Sequence, residues 1–270
     1  MKKQLQFILL FAISYLLFPI SSIAQSAFQP LGGNAYNMID RYEIKSGRFL
    51  NNIHTTDKPY LREDVVKTLS MLDTMKSKPK WTGIDTANMR WLRDDNSEWA
   101  GAKFGKSKKK VLTYFYQQKA NLYSYSDGDF MIKIDPVIQF GYGYDRNYNE
   151  GIKFINSRGA EVRGWISKKL GFYFYLSENQ FRPAKYVQTF INKRSGIPGG
   201  GYYKLFKPSN TETGYDYFNG RGYFDFKVLK FITITFGVDK NFIGNGYRSL
   251  FLSDFSNDYL YLKLSTKIWK

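Results

Sequence analysis

The chain has 270 residues, with 40 Lys and Arg against 23 Asp and Glu, a formal charge of +17, one histidine and no cysteine. This inventory excludes a disulfide framework, thiolate metal sites and cysteine nucleophiles, and it leaves a single imidazole for acid–base work. Aromatics reach 19% while mean hydropathy is negative, a combination that suits β-structure with aromatic girdles and a polar interior, although a secreted β-sandwich shares it.

Lys2 and Lys3 precede the apolar run "LQFILLFAISYLLFPI", and Ser22, Ile23 and Ala24 then offer a small-residue cleavage site. Residues 1–24 therefore read as a secretory signal peptide, with a retained N-terminal membrane helix as the alternative. Removing its two lysines lowers the charge to +15. For an exported chain this excess favours lipopolysaccharide phosphates and acidic polysaccharide over nucleic acid.

Residues 25–108 carry helical punctuation and read as a small periplasmic helical region with a linker. Asn34 is placed to cap "AYNMIDRYEIKSG" and Gly47 to end it. Pro59 sits in a plausible first turn ahead of Val65, Leu69 and Leu72, which recur at helical spacing. A third helix is expected in "TANMRWLRDDNSEW", and the lysines at 106, 108, 109 and 110 read as a solvated linker.

From residue 109 the period changes to two. In "YLYLKLSTKI", Leu260, Leu262 and Leu264 face one side while Tyr259, Tyr261 and Lys263 face the other. "YFDFKV", "GFYFYLS" and "EVRGWIS" repeat the pattern, with Tyr223, Asp225, Tyr173, Tyr175, Arg163 and Trp165 on the polar side. A sheet packed on one side gives the same alternation as a barrel. Connections near Asp127-Gly128, Lys168-Lys169 and Leu229-Lys230 are short, and those at "GYGYDRNYNEG" and about 178–222 are long, which is the layout of an outer-membrane barrel. The fold class expected is thus mainly β: about eight strands between Val111 and Trp269 forming an antiparallel transmembrane β-barrel over residues 109–270, truncated in this chain.

Catalytic constellations are sparse. The single histidine, His54, lies outside the strand region, so a Ser-His-Asp or Cys-His arrangement has no partner in the expected barrel; Glu161 and Glu178 fall too far apart for paired-carboxylate chemistry, and no cluster suggests a metal site. Gly244-Asn245-Gly246 lacks the third glycine and the helix of a dinucleotide loop. The loop "VDKNFIGNGYRSLFLSDFS" instead places Lys240, Asn241, Tyr247, Arg248 and Asp254 around the mouth of the expected barrel. No catalytic residue, cofactor or metal is expected.

Four stretches, "LGGNAYNMIDRYEIKSG", "HTTDKPYLRED", "RGAEVRGWISKKLGFYFYLSENQ" and "DKNFIGNGYRSLFLSDFS", together resemble the capsule assembly Wzi family of outer-membrane proteins, in its gliding-motility-related branch. The resemblance implies a non-enzymatic outer-membrane barrel with a periplasmic helical region and a lectin-like role in retaining capsular polysaccharide. It supplies no individual sugar-binding residue. From alternation and loop position, the candidate polysaccharide contacts are Arg163, Trp165, Tyr173, Tyr175, Tyr223, Lys240, Asn241, Tyr247, Arg248, Asp254, Tyr259 and Tyr261. Expected partners are surface polysaccharide, outer-membrane lipid including lipopolysaccharide, and envelope proteins, with no nucleic acid. Alternatives are a component of gliding motility or surface-protein export, and a diffusion porin.

Overall fold

A computed structural model describes residues 26–75, 79–101, 103–108, 111, 114–146, 151–167, 169–206, 213–229 and 231–266. Helices α1 (Asn34–Ser46), α2 (Arg62–Thr74), α3 (Gly83–Asp95) and α4 (Ser97–Ala100) come first, followed by a sheet. Helix α1 buries Ala35, Tyr36, Ile39 and Tyr42, the one-turn and two-turn neighbours that share a helix face. These meet Val65, Leu69 and Leu72 of α2 and Met89 and Leu92 of α3 in one apolar cluster. Gly47 ends α1 in the left-handed conformation that glycine adopts without cost. Asn34 is the first helical residue and Gly33 occupies the cap position. The side-chain cap in this unit is Thr82, whose hydroxyl accepts from the Asp85 N–H while the Asp85 carboxylate accepts from the Thr82 N–H. That reciprocal pair satisfies two amides that a helix start leaves unbonded.

The main sheet is antiparallel and runs β10-β8-β7-β5-β4-β3-β2. Its strands are β2 (Tyr123–Ser126), β3 (Phe130–Gly143), β4 (Lys153–Ile166), β5 (Leu170–Arg182), β7 (Gly214–Leu229), β8 (Ile232–Asp239) and β10 (Tyr259–Thr266). Strand β6 (Lys204–Phe206) pairs with one end of β7, and helix α5 (Lys185–Arg194) lies in the connection before it. Short strands β1 (Asp57–Lys58) and β9 (Phe242–Ile243) pair with each other, tying the helical region to the loop after β8. Registers such as Val162 opposite Phe174, and Arg163 opposite Tyr173, put apolar side chains on one face and polar or aromatic ones on the other. At Gly237 a Cβ would collide with the Gly222 carbonyl oxygen and lie 2.5 Å from the Cα of Tyr223, so glycine is what lets β8 lie this close to the β7 backbone.

Two expectations are corrected here. The architecture is mixed, with helices and an open sheet, where a transmembrane β-barrel was expected. Among the described residues no strand joins β2 to β10, so the described sheet is open, with two ends. Alternation records that a sheet has two unlike faces and is silent on closure. The region after Val111 also begins later as sheet than expected: Val111 and Gln118 make only isolated bridges, and β2 starts at Tyr123. The signal segment, Lys109, Lys110, Lys168 and Lys230 lie outside the described residues.

Candidate functional site

The chemistry of the molecule concentrates where the helical unit meets the polar face of the sheet. Arg62 starts α2, Asp95 ends α3 and Glu98 belongs to α4, while Lys133 and Asp135 come from β3 and Glu161 and Arg163 from β4. Arg62 donates to the Asp95 carboxylate and to Asn96 Oδ1, each at 2.9 Å. Lys133 Nζ lies 2.5 Å from Glu98 and donates to Ser97 Oγ at 2.9 Å. Arg163, only 2% exposed, donates to the Asp95 backbone carbonyl at 3.0 Å. Its guanidinium also stands 3.6 Å from Glu98, Asp135 and Glu161.

Burial alone raises a carboxyl pKa, but cations outweigh it here. Asp95 is held below the usual carboxylate range by Arg62 and Arg163 despite burial. Glu98 is likewise lowered, by Lys133, Arg163 and Arg62 acting against burial. Lys133 is itself lowered, first by burial and then by the neighbouring Arg163. Each of these groups faces an opposite charge, so the arrangement locks two parts of the chain together.

Around this network lie further contacts between the same two layers. The Phe28 N–H donates to the Tyr223 hydroxyl at 2.7 Å, and the Tyr223 ring stacks on Tyr173 at 5.2 Å between centroids. Trp99 packs on Trp165 at 5.6 Å. Lys58 sits over the rings of Tyr36 and Phe242 at 5.4 and 5.3 Å, and Lys263 pairs with Asp57 at 3.2 Å.

The twelve sequence-predicted contacts fall into separate groups. Arg163, Trp165, Tyr173 and Tyr223 are buried beneath the helical unit. Tyr175 lies under the guanidinium of Arg221 at 4.5 Å, and Arg221 pairs with Asp239 at 3.3 Å. Lys240 donates to the Gly199 carbonyl at 2.8 Å. The N–H and side-chain amide of Asn241 approach the Tyr259 hydroxyl at 3.2 and 3.3 Å, and Tyr259 packs edge-on to Tyr261. Tyr247 is 87% exposed on the outer loop, where Arg248 pairs with Asp254 at 2.8 Å.

The polysaccharide expectation is corrected by this geometry: the aromatic-polar face meant to meet sugar is covered by the chain's own N-terminal region, where Phe28 and Leu61 pack on Tyr173 and Tyr223, each only 2% exposed. The lipid partner and the outer-membrane location rested on the expected transmembrane barrel and are corrected with it. No described helix is long and apolar enough to cross a membrane. Among the described residues no group of His, Cys, Asp and Glu assembles a metal site.

Sequence reading missed Arg62, Asp95, Glu98 and Lys133. Lys133 and Asp135 had a legible signal, since they alternate with Ile132 and Ile134 in "MIKIDP". The three helical residues had none, because only tertiary contact assigns them to the sheet.

The opposite face is apolar and uncovered. Ile138, Phe140, Leu176, Phe218, Phe224, Phe236, Leu260, Leu262 and Leu264 are all exposed along it. Arg158 and Glu178, which neutralise each other at 3.0 Å, interrupt it. No protein-family model, curated protein or solved structure matches the chain. The resemblance to the capsule assembly family therefore rests on the quoted stretches alone.

Proposed function

We propose that the chain is a non-catalytic assembly module, whose open sheet is extended by a second copy of itself at the β10 edge. The observation that carries this reading is β10: an edge strand with no described partner on its outer side, presenting Leu260, Leu262 and Leu264 at 67%, 73% and 64% exposure. An unpaired edge beside apolar side chains is a template for strand addition. The sequence of β10 suits a twofold-related copy. With the axis at Leu262, Leu260 faces Leu264, Tyr261 faces Lys263 and Tyr259 faces Ser265. No like charges oppose each other, and Lys263, the only charged residue of β10, already has Asp57 as its partner. The ionised groups of the helix–sheet junction serve as a clamp that keeps the polar face closed while the β10 edge associates. Membership of the capsule assembly Wzi family is proposed as descent only, on the four stretches quoted.

A chain without cysteine gives a direct test. A Leu262→Cys variant places the two thiols across the axis, where facing Cα atoms of about 4.5–5.5 Å permit a disulfide. Rapid disulfide-linked dimer from Leu262→Cys, and none from Leu176→Cys in the sheet centre, is the expected outcome. Equal cross-linking at both positions, or at neither, would reject edge pairing.

A further inference from the structure

A cleft of about 760 Å³ opens between the β6–β7 hairpin, the turn before it and the loop leading into β10. Its size is that of a small-molecule site. Its walls carry Tyr202, Tyr217 and Phe218, and Tyr202 is 94% exposed. A ring left as open as Tyr202 gains little from folding and is free to cover a ligand. Tyr217 is held in place edge-on to Phe181 at 5.6 Å.

The polar lining has the opposite sign to the chain as a whole. Against a formal charge of +17, the cleft presents Glu178, Asp216 and Asp258 with Lys204 as its one lysine. Glu178 is engaged by Arg158. The other two carboxylates each keep one buried oxygen, Oδ1, with no hydrogen-bond donor among the described residues. Asp258 Oδ1 is ion-paired with Lys240 at 3.7 Å, a separation too long for a full hydrogen bond. Burial raises the Asp258 pKa, with Lys240 only partly opposing it. Buried carboxylate oxygens without donors are costly, and a cation supplies what they lack. Aromatic faces attract the same ligands through their negative quadrupole.

From this pairing of ring faces with donor-poor carboxylates, we propose that the cleft binds an organic ammonium ion, seated against Tyr202, Tyr217 and Phe218 and neutralised by Asp216 and Asp258. The ammonium comes either from a free methylated amine or from a lysine side chain of a polypeptide, and the two sources share the recognising chemistry. This inference stands apart from the edge-pairing reading, since none of these residues belongs to β10.

Calorimetric titration of the full chain tests it, with tetramethylammonium and N-acetyl-lysine methylamide as cationic probes and 3,3-dimethylbutanol as a neutral one. Saturable binding of at least one cation is expected, about tenfold or more tighter than that of the alcohol. Preference for tetramethylammonium assigns a free methylated amine, and preference for the lysine derivative assigns a basic side chain. Asp258→Asn, Asp216→Asn and Tyr202→Ala should each weaken binding about tenfold, with a cooperative urea transition followed by tryptophan fluorescence reporting that each variant is folded. Equal binding of the alcohol, no saturable binding of either cation, or aspartate variants that bind as the parent does would each overturn the proposal.

Discussion

The two faces of the sheet are made by the same strands and solve opposite problems. The polar face carries Lys133, Asp135, Glu161 and Arg163, which no apolar layer accepts, and it is buried by helices bringing Arg62, Asp95 and Glu98 to match. The apolar face carries Phe, Leu and Ile that water disfavours, yet no described part of the chain covers it. The difference teaches that charge placement, more than apolar content, decides which face the chain closes by itself. Buried charges are costly until paired, so partners from within the chain secure them. Apolar area is satisfied by any surface of similar character, including one from another molecule.

The comparison breaks most visibly at Arg163. Arg163→Ala leaves Glu98, Asp135 and Glu161 facing one another without their shared cation and should cost about 3–5 kcal/mol of stability. Urea denaturation followed by tryptophan fluorescence checks this, since Trp99 and Trp165 report on the junction. A loss below about 1 kcal/mol would mean the network is ornamental. Tyr223→Phe removes the acceptor for the Phe28 N–H and should cost about 1–2 kcal/mol, read from the same denaturation curve. Thr82→Ala, inside the helical unit, should cost about 1 kcal/mol through loss of the cap. Leu262→Ser on the exposed face should change the monomer's stability by less than about 0.5 kcal/mol while abolishing association in sedimentation velocity. A Leu262→Ser variant that associates normally would remove the functional meaning given to that face.

Acid titration separates two charge clusters by sign. Asp95 and Glu98 have folded pKa values below their unfolded ones. Their contribution is complete above the ordinary carboxylate pKa of about 4 and is lost as pH falls through the lower folded values. Asp239 and Asp258 are raised, chiefly by burial. For them the folded state binds the proton more readily, so stability rises as pH falls through their folded values toward about 4. Stability should therefore peak in the weakly acidic range and fall below it, and Asp258→Asn should flatten the limb above the peak. A urea midpoint measured against pH decides the matter.

Much of the strand and helix layout was legible because it is local. Leu260, Leu262 and Leu264 alternate with Tyr259, Tyr261 and Lys263 as expected, Gly47 ends α1, and the turns after β2, β4 and β7 fall where they were read. Closure was not legible, because it depends on whether the two end strands meet, and no side-chain period encodes that. The polysaccharide face failed for a related reason. Tyr173 and Tyr223 were correctly placed on the polar side, but the helical unit that covers them is distant in sequence, as the Phe28–Tyr223 hydrogen bond illustrates. Pairing of β1 with β9 was equally hidden, since two-residue strands carry no period.

Hydrogen exchange at β10, followed as protein concentration rises, tests the central claim most directly. Edge pairing by a second copy predicts that the backbone amides of Tyr259–Thr266 facing away from β8 gain protection with concentration, while those bonded to β8 stay unchanged. Exchange at those amides that is independent of concentration, over a range where sedimentation detects dimer, would contradict it.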